Sequence, residues 1–181
     1  MAKVKNNIFL NGLRGMLGKQ FVIKRMRGGR TIVTNMPTFS KFRKFSPKQK
    51  AHQKKFQMAT GYGQAMKRHP LYLALSEGTS RTGYNIAVAD WFHLPEILEV
   101  DLNRWTSESG VTRVKAQDDV KVVWVQVTIT DENGAFLEGG EAWETGGSWW
   151  EYSPTQAARE GLQVTVSARD MPGNKVEWNS R

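Results

Sequence analysis

The side chains of this 181-residue chain that could do chemistry are mainly cations, and they are concentrated in its first 76 residues. That stretch contains seventeen Lys and Arg and no Asp or Glu, whereas residues 77–181 contain nine basic and seventeen acidic residues. The two parts therefore contribute +17 and −8 to the net charge of +9. Clustered cations bind phosphates or carboxylates, so the sequence predicts a surface that contacts a polyanion or a protein partner. Its predicted residues are Arg25, Arg27, Arg30, Lys41, Arg43, Lys44, Lys48, Lys50, Lys54, Lys55, Lys67 and Arg68.

Histidine and cysteine offer little further chemistry. The chain has no Cys, which excludes disulfides, thiolate metal sites and Cys nucleophiles. Its three histidines, His52, His69 and His93, do not have the spacing of metal ligands with one another or with a nearby acid. We expect them to be surface or capping residues.

Carboxylates form two small groups in the second part of the chain. Asp118 and Asp119 are adjacent, and Glu138, Glu141 and Glu144 recur every three residues. Paired carboxylates can serve acid/base chemistry or bind Ca²⁺, but no calcium-loop spacing is present, so we expect solvated strand ends. Serine-hydrolase, Walker and zinc-protease motifs are also absent. The sequence therefore predicts a non-enzyme with no catalytic, cofactor-binding or metal-ligating residue.

A β-hairpin should hold the first cations. Two β-rich runs flank Gly28-Gly29, a pair typical of a two-residue hairpin loop. That loop sets Phe21 opposite Met36 and places Arg27 opposite Arg30 at the tip. Two cations so placed repel, so either both side chains extend into water or an anion lies between them.

Three glycines precede the hairpin at intervals of three: Gly12, Gly15 and Gly18. A dinucleotide fingerprint needs a different spacing and a preceding strand. We expect an irregular, tightly packed loop here rather than a phosphate cradle.

Three Phe residues, also spaced by three, lie among the next cations: Phe39, Phe42 and Phe45. Aromatic residues interleaved with basic ones can stack on single-stranded nucleic acid. The alternative, which we favour, is that they anchor the segment to a core, because three exposed Phe side chains would form an apolar patch.

A basic helix follows. Ser46-Pro47 is a helix start, and the helix should run to about residue 68. Its apolar stripe is narrow and its remaining surface is crowded with Lys, so it should pack on the hairpin or on another molecule. Shorter helices are expected at 71–76 and 83–92.

The chain becomes all-β from Pro95. Seven runs have strand character, at 96–102, 111–117, 120–130, 135–143, 148–152, 162–169 and 175–178. The longest should bury Val123, Val125, Val127 and Ile129 on one face. Seven short strands separated by turns predict an immunoglobulin-like sandwich with Trp124, Trp149 or Trp150 in its core. The predicted fold is α+β overall: a β-hairpin-and-helix module over 1–94 and an all-β immunoglobulin-like sandwich over 95–181.

Two resemblances add to this interpretation. The stretches VWVQVTITDENGAFLEGGEAW, WWEY and LQVTVSARDMPGN are similar to bacterial immunoglobulin-like domains, which usually act as adhesive, spacer or assembly modules. The stretches GLRGMLG, VIKRMRGGRTIVTNMPT and SPKQKAHQKKF resemble the start of small uncharacterised bacterial proteins, a likeness that implies no functional residue.

The charge division supports two functional hypotheses. One is a structural or assembly subunit, in which the basic module is embedded in neighbouring copies or other subunits of a homo-oligomer, particle or filament. The other is sequence-independent binding of DNA or RNA by the basic module. A signal peptide and membrane insertion are not expected, since no long apolar run is present, so synthesis in the cytoplasm is the default.

Overall fold

The computed structural model describes residues 2–4, 12–26, 28–40, 42–106 and 110–180. In these residues the fold is α+β, with three helices and three antiparallel four-stranded sheets. The chain divides into two compact units, Met1–Ile86 and Ala87–Arg181. We call them the basic unit and the β unit.

One sheet lies in the basic unit, and its strand order is β1-β4-β3-β2. Val, Ile and Thr are common in the two central strands, as is typical of β structure. The strands are β1 (Ala2–Val4), β2 (Gly15–Leu17), β3 (Phe21–Arg25) and β4 (Thr31–Asn35).

The predicted hairpin is present, but its register is wrong by one residue. Phe21 lies opposite Asn35 rather than Met36. The Met26 N–H donates to the Arg30 carbonyl at 2.7 Å, so the loop has three residues instead of two and every pair is displaced. Arg30 is thus bonded to Met26, and Arg27 lies outside the described residues.

The expected loop at the spaced glycines is also wrong in part, because Gly15–Leu17 forms strand β2 and pairs with β3. Gly18 and Lys19 both have positive φ, 58° and 55°, which reverses the chain between the two strands. Glycine adopts this conformation without a steric penalty, which explains a glycine at the reversal.

The helices are α1 (Pro47–Met66), α2 (Pro70–Ser76) and α3 (Gly83–Phe92). The predicted start of α1 is confirmed by a capping box. Ser46 Oγ accepts from the Gln49 N–H at 3.3 Å, and Gln49 Oε1 accepts from the Ser46 N–H at 2.9 Å.

The β unit contains two sheets, with strand orders β5-β6-β10-β9 and β12-β11-β7-β8. Both sheets contribute to one hydrophobic core, an arrangement that fits a β-sandwich in general terms. The strands are β5 (Glu96–Asp101), β6 (Thr112–Gln117), β7 (Val122–Thr130), β8 (Phe136–Glu141), β9 (Trp143–Gly146), β10 (Trp149–Tyr152), β11 (Gln163–Asp170) and β12 (Lys175–Asn179).

The core of the β unit follows the predicted alternation except at one end of β7. Val125, Val127 and Ile129 are fully buried, but Val123 is 42% exposed and Val122 is buried in its place. The pairing of β7 with β11 shifts between Arg169 and Asp170. Such a bulge inserts one residue and turns the preceding side chains to the opposite face.

The single strand predicted at 135–143 is two strands. Its first part, β8, pairs with β7, whereas its second part, β9, pairs with β10 in the other sheet. Ala142 lies between them, is buried, and donates its N–H to the Val125 carbonyl at 2.9 Å. The chain therefore changes sheets at this residue.

Candidate functional site

The structure describes ten of the twelve predicted contact residues, and all ten are exposed. Among the described residues none of the ten takes part in a salt bridge. Their charge is therefore not neutralised by a neighbouring carboxylate. Arg27 and Lys41 lie outside the described residues. The ten are Arg25, Arg30, Arg43, Lys44, Lys48, Lys50, Lys54, Lys55, Lys67 and Arg68.

The fold distributes these cations over three places. Arg25 ends β3, and Arg30 lies in the loop that follows. Four lysines project from α1, while Lys67 and Arg68 follow its last turn. Arg43 and Lys48 are brought together, since both line one cleft at the beginning of α1.

Arg43 is held by two aromatic rings. Its guanidinium carbon lies 4.8 Å from the centroid of the Phe45 ring and 5.8 Å from that of Phe39. Both distances are within the range of a cation–π interaction, which is worth about 0.5–1 kcal/mol at an exposed site. The two rings thus orient the charge of Arg43 without neutralising it.

The cleft beside this cluster has a volume of about 330 Å³. Gln49 is engaged in the capping box of α1, so its side chain is fixed. The lining residues are Arg43, Phe45, Lys48, Gln49, His52 and Gln53.

The Phe triplet does not anchor the segment as expected. Phe42 is 90% exposed and Phe39 is 70% exposed, while Phe45 is half-buried. Because most of the apolar area of Phe39 and Phe42 faces solvent, the triplet adds an apolar component to the basic surface.

Other apolar side chains of the basic unit are exposed as well. Leu17 is 56% exposed in β2, and in α2 the exposed residues include Leu73 at 45%. In the described part of this unit, the buried apolar side chains are Ile23, Ala59 and Tyr72. Its core is therefore small beside that of the β unit.

The expectation of solvated carboxylates is wrong for Glu138 on β8. Its carboxylate accepts from the Tyr152 hydroxyl at 2.8 Å, from the Thr155 N–H at 2.7 Å and from the Gln156 N–H at 2.8 Å. Burial raises the pKa of Glu138, but these hydrogen bonds outweigh burial and hold the pKa below its ordinary value of 4.5. Burial and the bond to Glu138 raise the pKa of Tyr152 to about 12.

The other two glutamates of this group have partners too. Glu141 accepts from Trp124 Nε1 at 2.7 Å, and Glu144 lies 3.8 Å from Lys121 Nζ. The Glu141 contact joins the neighbouring strands β7 and β8, whereas the exposed Glu144 on β9 and Lys121, just before β7, lie in segments of different sheets.

The His93 imidazole is in hydrogen-bond contact with the Asp119 carboxylate, 26 residues away, a contact that the sequence did not predict. Both side chains are more than half exposed and border a cleft of about 460 Å³. Among the described residues no cluster of His, Asp and Glu has a geometry that would hold a metal ion. A pair so distant in sequence leaves no local signal.

A single buried carboxylate, that of Asp170, organises the β11–β12 turn. Asp170 is buried and accepts from the Gly173 N–H at 2.8 Å and the Asn174 N–H at 2.6 Å. Asn174 Nδ2 donates to the His93 carbonyl at 2.8 Å, which ties the turn to the end of α3. Burial raises the pKa of Asp170, although the hydrogen bonds from Asn174 and Gly173 oppose this.

Comparison with known proteins found no matching family model, curated protein or solved structure. Within the described residues, no helix has the length and apolar character that crossing a bilayer requires.

Proposed function

We propose that this chain is a non-enzymatic structural subunit. Its basic unit is embedded in neighbouring subunits of a particle or filament, and its β unit is exposed. The observation that carries this proposal is the described surface of the basic unit, which combines the ten exposed cations that lie in no salt bridge with exposed Leu, Met and Phe side chains. Such a surface is stabilised when a partner covers its apolar part and neutralises its charge.

The partner that fits best is another copy of the chain. Residues 1–76 carry +17 and residues 77–181 carry −8, so the two parts of different copies attract each other. A contact between unlike surfaces is heterologous and generates a ring or an open filament. This supports a homo-oligomer over a complex with unrelated subunits.

We further propose that the β unit is an immunoglobulin-like sandwich. Strand orders β5-β6-β10-β9 and β12-β11-β7-β8 correspond to the A-B-E-D and G-F-C-C′ orders of that fold. Trp150 is buried in the core on the strand that corresponds to E, whereas antibody domains place their core Trp on strand C against a disulfide. Domains of this kind suit a spacer or assembly role.

Purification without nuclease tests the structural proposal. The size of the particle and its 260/280 nm absorbance ratio should be recorded at low and high salt. We expect a large particle free of nucleic acid that persists at high salt, since apolar burial is not screened. A monomer at every salt and protein concentration would contradict the proposal.

A second candidate function is sequence-independent binding of DNA or RNA by the basic unit. It is favoured by one specific observation, the stacking of Arg43 on Phe39 and Phe45 beside exposed Phe42. Aromatic and guanidinium faces next to Lys side chains are the elements with which proteins bind single strands. Binding that weakens steeply with salt would support this function.

A further inference from the structure

We propose that the cleft formed by Arg43, Phe45, Lys48 and His52 is the site at which one nucleotide of a single-stranded nucleic acid binds. This inference rests on the second candidate function and deepens it by naming the site and the strandedness of the ligand.

The first step of the argument is the shape of the cleft. Its volume of about 330 Å³ is at the lower end of the range for small-molecule sites, which suits one planar ring system rather than a duplex. Bases inside a duplex are paired and stacked, so they cannot enter such a cleft without extrusion. A single strand offers its bases freely.

The second step is the chemistry of the cleft wall. The guanidinium carbon of Arg43 lies 4.8 Å from the Phe45 centroid, so the cleft wall combines a cationic group with an aromatic ring. Nucleobases stack on both aromatic rings and guanidinium planes. The base therefore contacts this wall.

The third step is charge. Lys48 borders the same cleft and, among the described residues, is in no salt bridge. The first 76 residues contain no acid that could repel a phosphate. A phosphate attached to the stacked nucleotide thus meets Lys48, and a neighbouring phosphate meets Lys55, seven residues further along the same face of α1.

The test is fluorescence anisotropy of the full-length chain with a labelled oligothymidine of about ten nucleotides, within the usual site size of single-strand modules. A duplex of equal length is measured in parallel. We expect Phe45→Leu and Arg43→Gln each to weaken binding to the single strand by about tenfold, the scale of one stacked base, and to change duplex binding much less.

Phe136→Leu and Arg159→Gln are the controls, because each changes an exposed residue of the same type in the β unit, outside both the cleft and the predicted contact residues. Circular dichroism verifies that every variant keeps the helix content of the wild type. Should Phe45→Leu and Arg43→Gln bind the single strand as tightly as the controls do, the cleft is not the site, although nucleic-acid binding stands. If the wild type binds neither oligonucleotide, the cleft and the second candidate function fail together. If the cleft variants alter particle size but not oligonucleotide binding, the cleft is a protein contact and the inference is overturned.

Discussion

The hydroxyl of Tyr152 on β10 donates a 2.8 Å hydrogen bond to Glu138 on β8, and these two strands belong to different sheets of the β unit. The same carboxylate accepts from the backbone of Thr155 and Gln156, just beyond the end of β10. One side chain thus ties both sheets together, four residues before Ala142, where the chain passes from one sheet to the other.

Glu138→Gln should destabilise the β unit. Glutamine has one acceptor oxygen and an NH₂ group that would face donors, so at least one charge-assisted bond is lost, at a cost of about 1.5–3 kcal/mol. Because the pKa of Glu138 is lowered, its stabilising effect is present above pH 4.5 and is lost as the pH falls through the folded-state pKa. Urea unfolding at neutral and acidic pH measures the difference in unfolding free energy between the wild type and the variant. A difference between wild type and variant that does not shrink at acidic pH would argue against the assigned bonds.

Tyr152→Phe should alter the response to alkaline pH. The pKa of Tyr152 is raised from 10.0 to about 12, so the stability it contributes is present below pH 10 and is lost as the pH rises toward 12. Two pKa units correspond to about 2–3 kcal/mol, an upper limit for this loss. Between pH 9 and 12, the melting temperature of the wild type should fall more steeply with pH than that of the variant. Tyr84→Phe is the control, because it removes a hydroxyl elsewhere, and its melting temperature should fall with pH as that of the wild type does.

Local sequence signals predicted the three helices and most of the strands, but not β1, β2 or the separation of β9 from β8. Ser46, Pro47 and Gln49 specify the start of α1 because a capping box depends on residues three apart. Alternation of apolar residues likewise located β7, since a half-buried strand has a period of two.

Features set by non-local contacts could not be predicted in this way. The change of sheet at Ala142 depends on its bond to Val125, and the bulge that buries Val122 depends on pairing with β11. At the candidate site, the sequence identified the cations and the Phe spacing. It did not show that Arg43 would stack on Phe45, because both residues precede α1 in irregular backbone.

Gly140→Ala should be strongly unfavourable. A Cβ at this position would lie 2.7 Å from the Tyr152 ring, so the ring would have to move and would strain its bond to Glu138. Overpacking of this kind costs about 1–3 kcal/mol. Gly61→Ala is the control, since its Cβ would meet nothing within 4 Å and its helix should gain up to about 1 kcal/mol. Urea unfolding and hydrogen exchange in α1 distinguish the two, and equal effects would refute the steric explanation.

Asn174→Ala should loosen the junction between α3 and the β11–β12 turn. The Asn174 amide donates to the His93 carbonyl at 2.8 Å and to Asp170 Oδ2 at 2.7 Å. Alanine cannot donate either hydrogen bond, so both acceptors lose this partner. We expect a loss of about 1–3 kcal/mol, because Asp170 is buried. Hydrogen exchange should quicken at residues 91–94 and 170–174 before it does elsewhere. Uniform acceleration across the β unit would indicate a global effect instead. Asn179→Ala, on strand β12, is the control.

Deletion of residues 1–76 should leave a folded β unit that no longer assembles. The β unit has its own core of aliphatic side chains with Trp105, Trp150 and Tyr152, and α3 is retained, so the contacts of Asn174 with Trp91 and His93 persist. Near-ultraviolet circular dichroism of the tryptophans should therefore match the signal of the full chain, and urea unfolding should remain cooperative. Light scattering should report a monomer at every salt concentration, because the cations and exposed apolar side chains that we assign to the contact are gone. If the truncated chain is monomeric but unfolded, the β unit depends on the basic unit for its stability. If the truncated chain still forms large particles, the assembly contact lies in the β unit itself.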